Sequence, residues 1–493
     1  MDPPTSPSHY HNPVYPQPCP DPFVLKFCGE YWCYSTGLQP DGRFFAILHS
    51  TNLVDWRPTG SALDRLPPGT LPYPDDHYWA PEVVYENGRF LMYYSVGDET
   101  CMQIRIAVAG HPAGPFVDSG RRLTREDFAI DPHVFTDDDG ARYLFYATDF
   151  WEHPRIGTGT VVDRLHDPFT PAGAPQPVTR ARFDWQVYDP QRIAKGGVRW
   201  HTLEGPFVLR KKGRYFQMFS AGNWQDGSYG VAYGVSDRLD GPGEWEQPCD
   251  GEAIPPVLRS RPEQGVIGPG HNSVVRGPDN SALFCIYHRW LPEAGARVLA
   301  LDRLGWEDGR LLIDGPSSGP RPVPPLPAID GFDGFDCSPG GGRREGNRLH
   351  LGSDRRACRP LPEAAAAVLE ISLRMDHPFP AGWFGLRLQH DGGRLAGILI
   401  GPHARRVRIE TQNGTTDLPL PEPFDGSVFH LLRLEIGPEG WAAFLDGLRL
   451  IAAVPLPSRA GALDLLAFEG AAEFAGFAFT VTRPDAAQTS PEN

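Results

Sequence analysis

The 493 residues contain no run of about eighteen apolar residues, so no helical membrane span is expected. The opening, MDPPTSPSHYHNPVYP, carries neither a basic stretch nor an apolar one, which argues against a secretory signal and gives a cytoplasmic expectation. Cysteine is scarce and scattered: Cys19, Cys28, Cys33, Cys101, Cys249, Cys285, Cys337 and Cys358, with no C-x-x-C pair. That usage suits reduced thiols rather than a disulfide framework. Positive charge is short as well, with 46 Lys and Arg against 61 Asp and Glu and a formal net charge of −15. Phosphate contacts need a basic surplus, so nucleic acid and anionic membrane are poor partners. A neutral substrate fits this balance; an acidic polymer would be repelled.

Turn-formers and aromatics are what the chain has in quantity: 55 Gly, 53 Pro, 27 Phe, 16 Tyr and 12 Trp. Dense punctuation between runs of Tyr, Phe, Val and Leu is the texture of a turn-rich all-β protein. A chain of this length exceeds one ordinary core, so two domains are expected. Five openings echo one another: Asp21-Pro22, Ala80-Pro81, Asp131-Pro132, Glu204-Gly205-Pro206 and Gly268-Pro269-Gly270-His271. Each is followed by a short apolar run, a turn and an aromatic strand. Those strands read GEYWCYSTG from Gly29, GRFLMYYSVG from Gly88, GARYLFYATD from Gly140, GRYFQMFSAG from Gly213 and SALFCIYHRW from Ser281. A third, alternating strand then ends in a Trp or Pro-Phe corner, as in Phe45 to Trp56 and Arg297 to Trp306. Repetition at this scale marks units that are each one small sheet, which predicts a five-bladed β-propeller over residues 1–318.

Residues 319–329 lie in the Pro-rich stretch GPSSGPRPVPPLPAIDG, which reads as a stiff extended linker. Beyond it aromatics thin out and the five-fold echo stops. Phe384, Leu386 and Leu388 alternate with Gly385, Arg387 and Gln389, and Asp446-Gly447 between two apolar runs signals a hairpin. Residues 330–485 are therefore expected to form a β-sandwich, concanavalin-like in pattern, with 486–493 as a disordered tail.

A lone Asp before Pro is most simply a turn cap. Three acids in matched places of a ring are different, because equivalent ends of inner strands surround one depression. Three carboxylates crowded there are costly unless chemistry uses them. Glycoside hydrolysis needs such a set: a protonated acid for the leaving oxygen and an ionised base for water. A third carboxylate raises the acid's pKa by like-charge repulsion.

The stretches DPFV, STNLVDW, YWAPEVVYENGRFLMYYS, IDPHVFTDDDGARYLFY, TLEGPFVLRKKGRYFQMFS and GPGHNSVV together resemble glycoside hydrolase family 43 over residues 12–320. The resemblance implies a five-bladed propeller acting by inversion on arabinans, xylans and related sugars. It also implies roles: Asp21 as general base, Asp131 as pKa modulator and Glu204 as general acid. No cofactor is required; the resemblance allows a structural Ca2+ or Na+ ion, held through water near His271. In β-xylosidases of that family an Arg from the last blade grips the terminal sugar, and Arg289 is the candidate here. Trp79 is a candidate wall for a sugar ring, with packing between blades as the alternative, and Trp224 either faces the pocket or merely covers it. Glu82 reads as a partner of the site rather than an acid of it. Asp137-Asp138-Asp139-Gly140 does not fit a calcium loop and reads as a hairpin turn.

The expected activity is removal of a terminal α-L-arabinofuranosyl or β-D-xylosyl residue from small neutral oligosaccharides. Two other readings stand beside it. One is a retaining fructan-type enzyme or a galactose- or galactofuranose-specific one; Cys19-Pro20-Asp21-Pro22-Phe23 departs from the fructan opening. The other is a sugar-binding propeller without turnover. The sandwich is expected to cap the site, bind sugar or buttress the ring.

Overall fold

The computed structural model describes residues 8–483 except 242, 249–256, 338–340, 377–380 and 457. Cys249 and the tail 486–493 thus lie outside the described residues. Five sheets form the ring. Blade one is Phe23–Phe27, Glu30–Leu38, Phe44–Ser50 and Arg57–Leu63; blade two is His77–Glu86, Arg89–Gly97, Met102–Ala109 and Val117–Arg122. Blade three starts with Ala129–Thr136, Arg142–Phe150 and Gly157–Asp167, then adds short edge strands and a hairpin of Val187–Arg192 and Val198–His201. Blade four is Leu203–Lys211, Arg214–Ala221, Gly230–Ser236 and Leu258–Arg259. Blade five takes Ile267–Arg276, Leu283–Leu291, Ala296–Glu307 and Arg310–Ile313, and is completed by Tyr15–Pro18 from the start of the chain.

The second strand of every blade is buried along nearly its whole length, on both faces. A blade is covered by a neighbour on each side, so these strands carry apolar and aromatic residues at odd and even positions alike. One apolar cluster fills each interface: Tyr34, Phe45 and Tyr94 between blades one and two, Tyr93 and Tyr146 between two and three, and Phe145 and Trp245 between three and four. Met218 and Tyr287 share the next, and Tyr31, Ile286 and Leu299 seal blade five to blade one. Aromatics suit these gaps because they bury large area and stack, as Phe44 does on Tyr78 with centroids 3.7 Å apart.

The Pro-rich connection is not a free spacer. Arg321–Pro322 pairs with His9–Tyr10, and the Ser317 N–H donates to the buried Asp302 carboxylate at 2.9 Å. Beyond it two sheets enclose a single core that includes Leu369, Leu386, Trp441, Leu465 and Phe477. Asp446 and Gly447 both take positive φ, 51° and 82°, between Gly440–Leu445 and Leu448–Val454, which is the tight hairpin the sequence signals.

This sandwich packs on the hairpins that join the first two strands of blades one, two, three and five. Asn347 Nδ2 donates to the Cys28 carbonyl at 3.2 Å, and the Asp425 N–H donates to Asn87 Oδ1 at 2.8 Å. Arg449 pairs with Asp138 at 2.5 Å, and Thr480 Oγ1 donates to the Asp279 carbonyl at 2.6 Å. Gly476 lies so close to Cys28 that a Cβ would meet its carbonyl carbon at 2.4 Å. These hairpins follow the inner strands, whereas the acids precede or open them, so the sandwich covers the face opposite the acids. It buttresses the ring there and does not cap the site. Among the described residues, no helix is long and apolar enough to cross a membrane.

Candidate active site

Just before each inner strand or within its first half stands a residue in the left-handed backbone region: Asp21, Ala80, Asp131, Gly205 and His271, with φ of 51°, 45°, 58°, 58° and 49°. In blades two to five the strand pairing slips at this point, between Trp79 and Glu82, Ile130 and His133, Glu204 and Phe207, and Gly270 and Ser273. Such bulges re-aim side chains, here toward the axis. Asp21, Asp131 and His271 are thus equivalent residues. Glu204 is not: it stands one position earlier, paired with Ser220 as Trp79 is with Ser95, and Gly205 takes the left-handed place.

The buried N–H of each opening residue finds a side-chain acceptor. Ala80 donates to Thr36 Oγ1 at 2.7 Å, Asp131 to Ser95 Oγ at 2.9 Å, His271 to Ser220 Oγ at 2.7 Å and Asp21 to His288 Nδ1 at 3.1 Å. Blade three offers Ala147 where its neighbours offer Ser95 and Ser220. There the Gly205 N–H donates instead to the Asp131 carboxylate at 3.0 Å. The same ring that holds the backbone therefore fixes Asp131.

Asp21, Asp131, Glu204 and His271 line one cavity of about 250 Å3, together with Trp79, Trp224, Thr158, Tyr188, Arg192 and Arg297. Their environments differ. Burial would push Asp21 up, but Arg297, with Nη1 2.6 Å from Oδ1, and then His271 outweigh it and hold the group well below the usual carboxylate range. Burial pushes Asp131 up to about 7, with Glu204 and Asp21 adding to the rise against the pull of His271. Burial also raises Glu204, whose Oε1 accepts from the Tyr229 hydroxyl at 2.6 Å. Burial opposes charge on His271, yet the three carboxylates raise it, so it favours the imidazolium. His288 is pushed down by burial to about 3 and stays neutral, its Nδ1 serving as an acceptor.

Of the expected wall residues, Trp79 both reaches the cavity and packs against the next blade. It packs on Phe128 and Ile130, and carries His77 stacked at 4.9 Å. Trp224 lines the cavity too, but Arg297 lies 4.6 Å over its ring. Arg289 is elsewhere. Its buried guanidinium donates to the carbonyls of Asn12 at 2.9 Å and Ser317 at 3.4 Å, clamping the start of the chain and the connection onto blade five. Arg297, near the start of the third strand of blade five, lines the cavity instead. Glu82 is a partner residue: it accepts from His133 Nδ1 at 2.9 Å, and His133 Nε2 accepts the Val208 N–H at 3.0 Å, tying blades two, three and four. Asp137 accepts from Tyr215 at 2.7 Å and Arg210 at 3.1 Å, as a turn clamp. Tyr188 and Arg192 come from the blade-three hairpin, and Arg192 pairs with Glu99 at 2.9 Å across the rim. Nothing in the repeat pattern announces that insertion.

The family model for glycosyl hydrolases family 43 matches residues 10–311. The chain belongs to that family. The Aspergillus niger protein named beta-D-galactofuranosidase xynD is 29% identical over 330 residues, 62% of this chain and 86% of its own. An extracellular exo-alpha-(1->5)-L-arabinofuranosidase of Streptomyces chartreusis is 28% identical over 306 residues, 57% of this chain and 83% of its own. Among solved structures, a thermostable family-43 glycoside hydrolase aligns at 34% identity and TM-score 0.55, over 64% of this chain and 99% of that one. The xylan beta-1,4-xylosidase of Bacillus halodurans aligns over 96% of this chain and 100% of its own, with TM-score 0.50 and 17% identity, a likeness of fold that runs through the sandwich.

Proposed function

We propose that this family 43 glycoside hydrolase is an inverting exo-enzyme that removes a terminal α-L-arabinofuranosyl or β-D-xylosyl residue from short neutral oligosaccharides. The observation that carries the reading is the split in protonation within one cavity: Asp21 held ionised, Asp131 and Glu204 pushed up. In the proposed step Asp21 takes a proton from a water that attacks the anomeric carbon. The bond from that carbon to the leaving oxygen breaks, and Glu204 gives its proton to that oxygen. Asp131 exchanges no proton with substrate; held by the Gly205 N–H beside the acid, it is the proposed modulator of the pair. A cavity of about 250 Å3 suits a single sugar ring, which favours exo action. Proton NMR of the first product tests the mechanism: the inverted anomer is expected, and the retained one would overturn it.

The beta-D-galactofuranosidase among the relatives supports a second specificity, a terminal galactofuranose. A panel of 4-nitrophenyl pentosides and galactofuranoside separates the two readings by kcat/KM.

An ion is proposed at the axis. Beneath the main cavity lies a chamber of about 30 Å3 whose polar lining is Asp21, Glu82, Asp131, His271, Asn272 and Ser273. Asn272 Oδ1 there is buried without a partner, so oxygen donors await something. That set fits a hydrated hard cation such as Ca2+ or Na+. It would offset the three carboxylates, the task a protonated His271 otherwise performs. Seven cysteines among the described residues are free, three of them buried, which supports a reducing, cytoplasmic setting and small imported substrates.

A further inference from the structure

Glu204 has one oxygen committed before any substrate arrives. The Tyr229 hydroxyl donates to Oε1 at 2.6 Å, a close contact. Tyr229 is 1% exposed, and burial, then the Glu204 charge, raises its own pKa well above the usual phenol value, so the phenol remains a donor throughout. Its ring has little freedom. It lies parallel to the His288 imidazole, with centroids 5.8 Å apart and planes 5° from parallel. On another side is Gly270, where a Cβ would fall 2.3 Å from the ring. Any side chain at 270 would push the phenol off its acceptor. His288 in turn accepts the Asp21 N–H. One buried stack thus touches Glu204 through its hydroxyl and Asp21 through its imidazole.

We propose that Tyr229 is the positioning residue for the acid, seated by Gly270 and His288: it occupies Oε1, so that the transferable proton resides on Oε2. The proposal rests on Glu204 being the acid. As Glu204 gives up its proton the accepted hydrogen bond becomes charge-assisted and roughly twice as strong, a gain realised only as the leaving group departs. Tyr229 therefore assists in proportion to how much proton the leaving group needs.

The test is the Tyr229→Phe variant, with kcat/KM measured on a series from dinitrophenyl glycoside, whose leaving group departs unprotonated, to phenyl glycoside and a disaccharide. A loss on the order of 10- to 100-fold is expected on the poor leaving groups, with dinitrophenyl turnover near that of the parent. The basic limb of the pH profile is expected to move up, because a bond that lowers the Glu204 pKa is gone. Gly270→Ala, which keeps the hydroxyl but displaces the ring, should give the same signature in protein whose thermal melt shows it folded. An equal loss across all leaving groups with an unmoved limb would reduce Tyr229 to packing and overturn the proposal. Glu204→Gln run on the same series separates the two layers. If it shows no dependence on the leaving group, the acid assignment fails and takes the role of Tyr229 with it.

Discussion

At the scale of single residues, charge decides. Arg297 alone makes a short ion pair with Asp21, 2.6 Å to Oδ1. In an Arg297→Met variant the Asp21 pKa should rise, so the acidic limb of kcat/KM against pH should move up by on the order of one unit. A limb that stays put would show that His271 suffices. Asp131 carries the opposite linkage. Its folded pKa, about 7, lies above the 3.8 of an ordinary Asp, so the unfolded chain releases this proton first. Stability from this group is complete below 3.8 and falls as pH rises toward 7. Asp131→Asn removes that penalty while keeping an oxygen for the Gly205 N–H. It should melt several degrees higher than the parent at about pH 8, with the difference closing near pH 4, and lose about 100-fold or more in turnover. Both carboxylates were legible as site residues because they stand before Pro in a repeat. Their opposite protonation was not, because it comes from Arg297 and from depth of burial, and neither is marked in the motif.

At the scale of the element, the bulged start of the inner strand is the device that makes the site. Ser95 belongs to blade two, yet its hydroxyl accepts the buried N–H of Asp131 in blade three. Ser95→Ala leaves that N–H without an acceptor, at a cost of about 1–3 kcal/mol, and frees Asp131 to drift. A lower denaturant midpoint together with a lower kcat at unchanged KM is expected; a change in midpoint alone would show the bulge holds itself. The sequence shows this element well: a Pro, an apolar run, a turn and an aromatic strand recur because each blade meets the same two neighbours. It misleads where the bulge shifts by one. Glu204 looks level with Asp21 and Asp131, but Gly205 takes the left-handed backbone, and the longer Glu side chain reaches from one residue back. Arg289 and Arg297 show the same limit. Arg289 pairs with Val298 and Arg297 with Trp290 across adjacent strands, and only register tells which guanidinium faces the cavity. The rim hairpin of blade three breaks the repeat, so periodicity offers no handle on it.

For the whole molecule, the junction of ring and sandwich is the part a reading by texture anticipates least. Glu370 and Arg433 form a buried ion pair there, Arg433 also binding Glu435 at 2.7 Å and the Asn280 carbonyl at 2.9 Å. Lys26, half-buried and with its pKa pulled down to about 8 by desolvation, donates to the Gly277 carbonyl at 2.9 Å beside them. Glu370→Gln weakens the compensation of those cations and should cost about 3 kcal/mol, toward the lower end for a broken buried pair because Glu435 remains. The melting temperature should fall while KM stays the same, since the acids lie on the opposite face; a shifted KM would mean the two faces communicate. Tyr15–Pro18 leaves the ribosome well ahead of Ala296–Glu307, the strand it pairs with. For most of translation that ribbon has an unpaired edge, and the first blade lacks its far neighbour. Nascent chains stalled before residue 296 should therefore be protease-sensitive and prone to pair with one another, a hazard the finished wheel no longer carries.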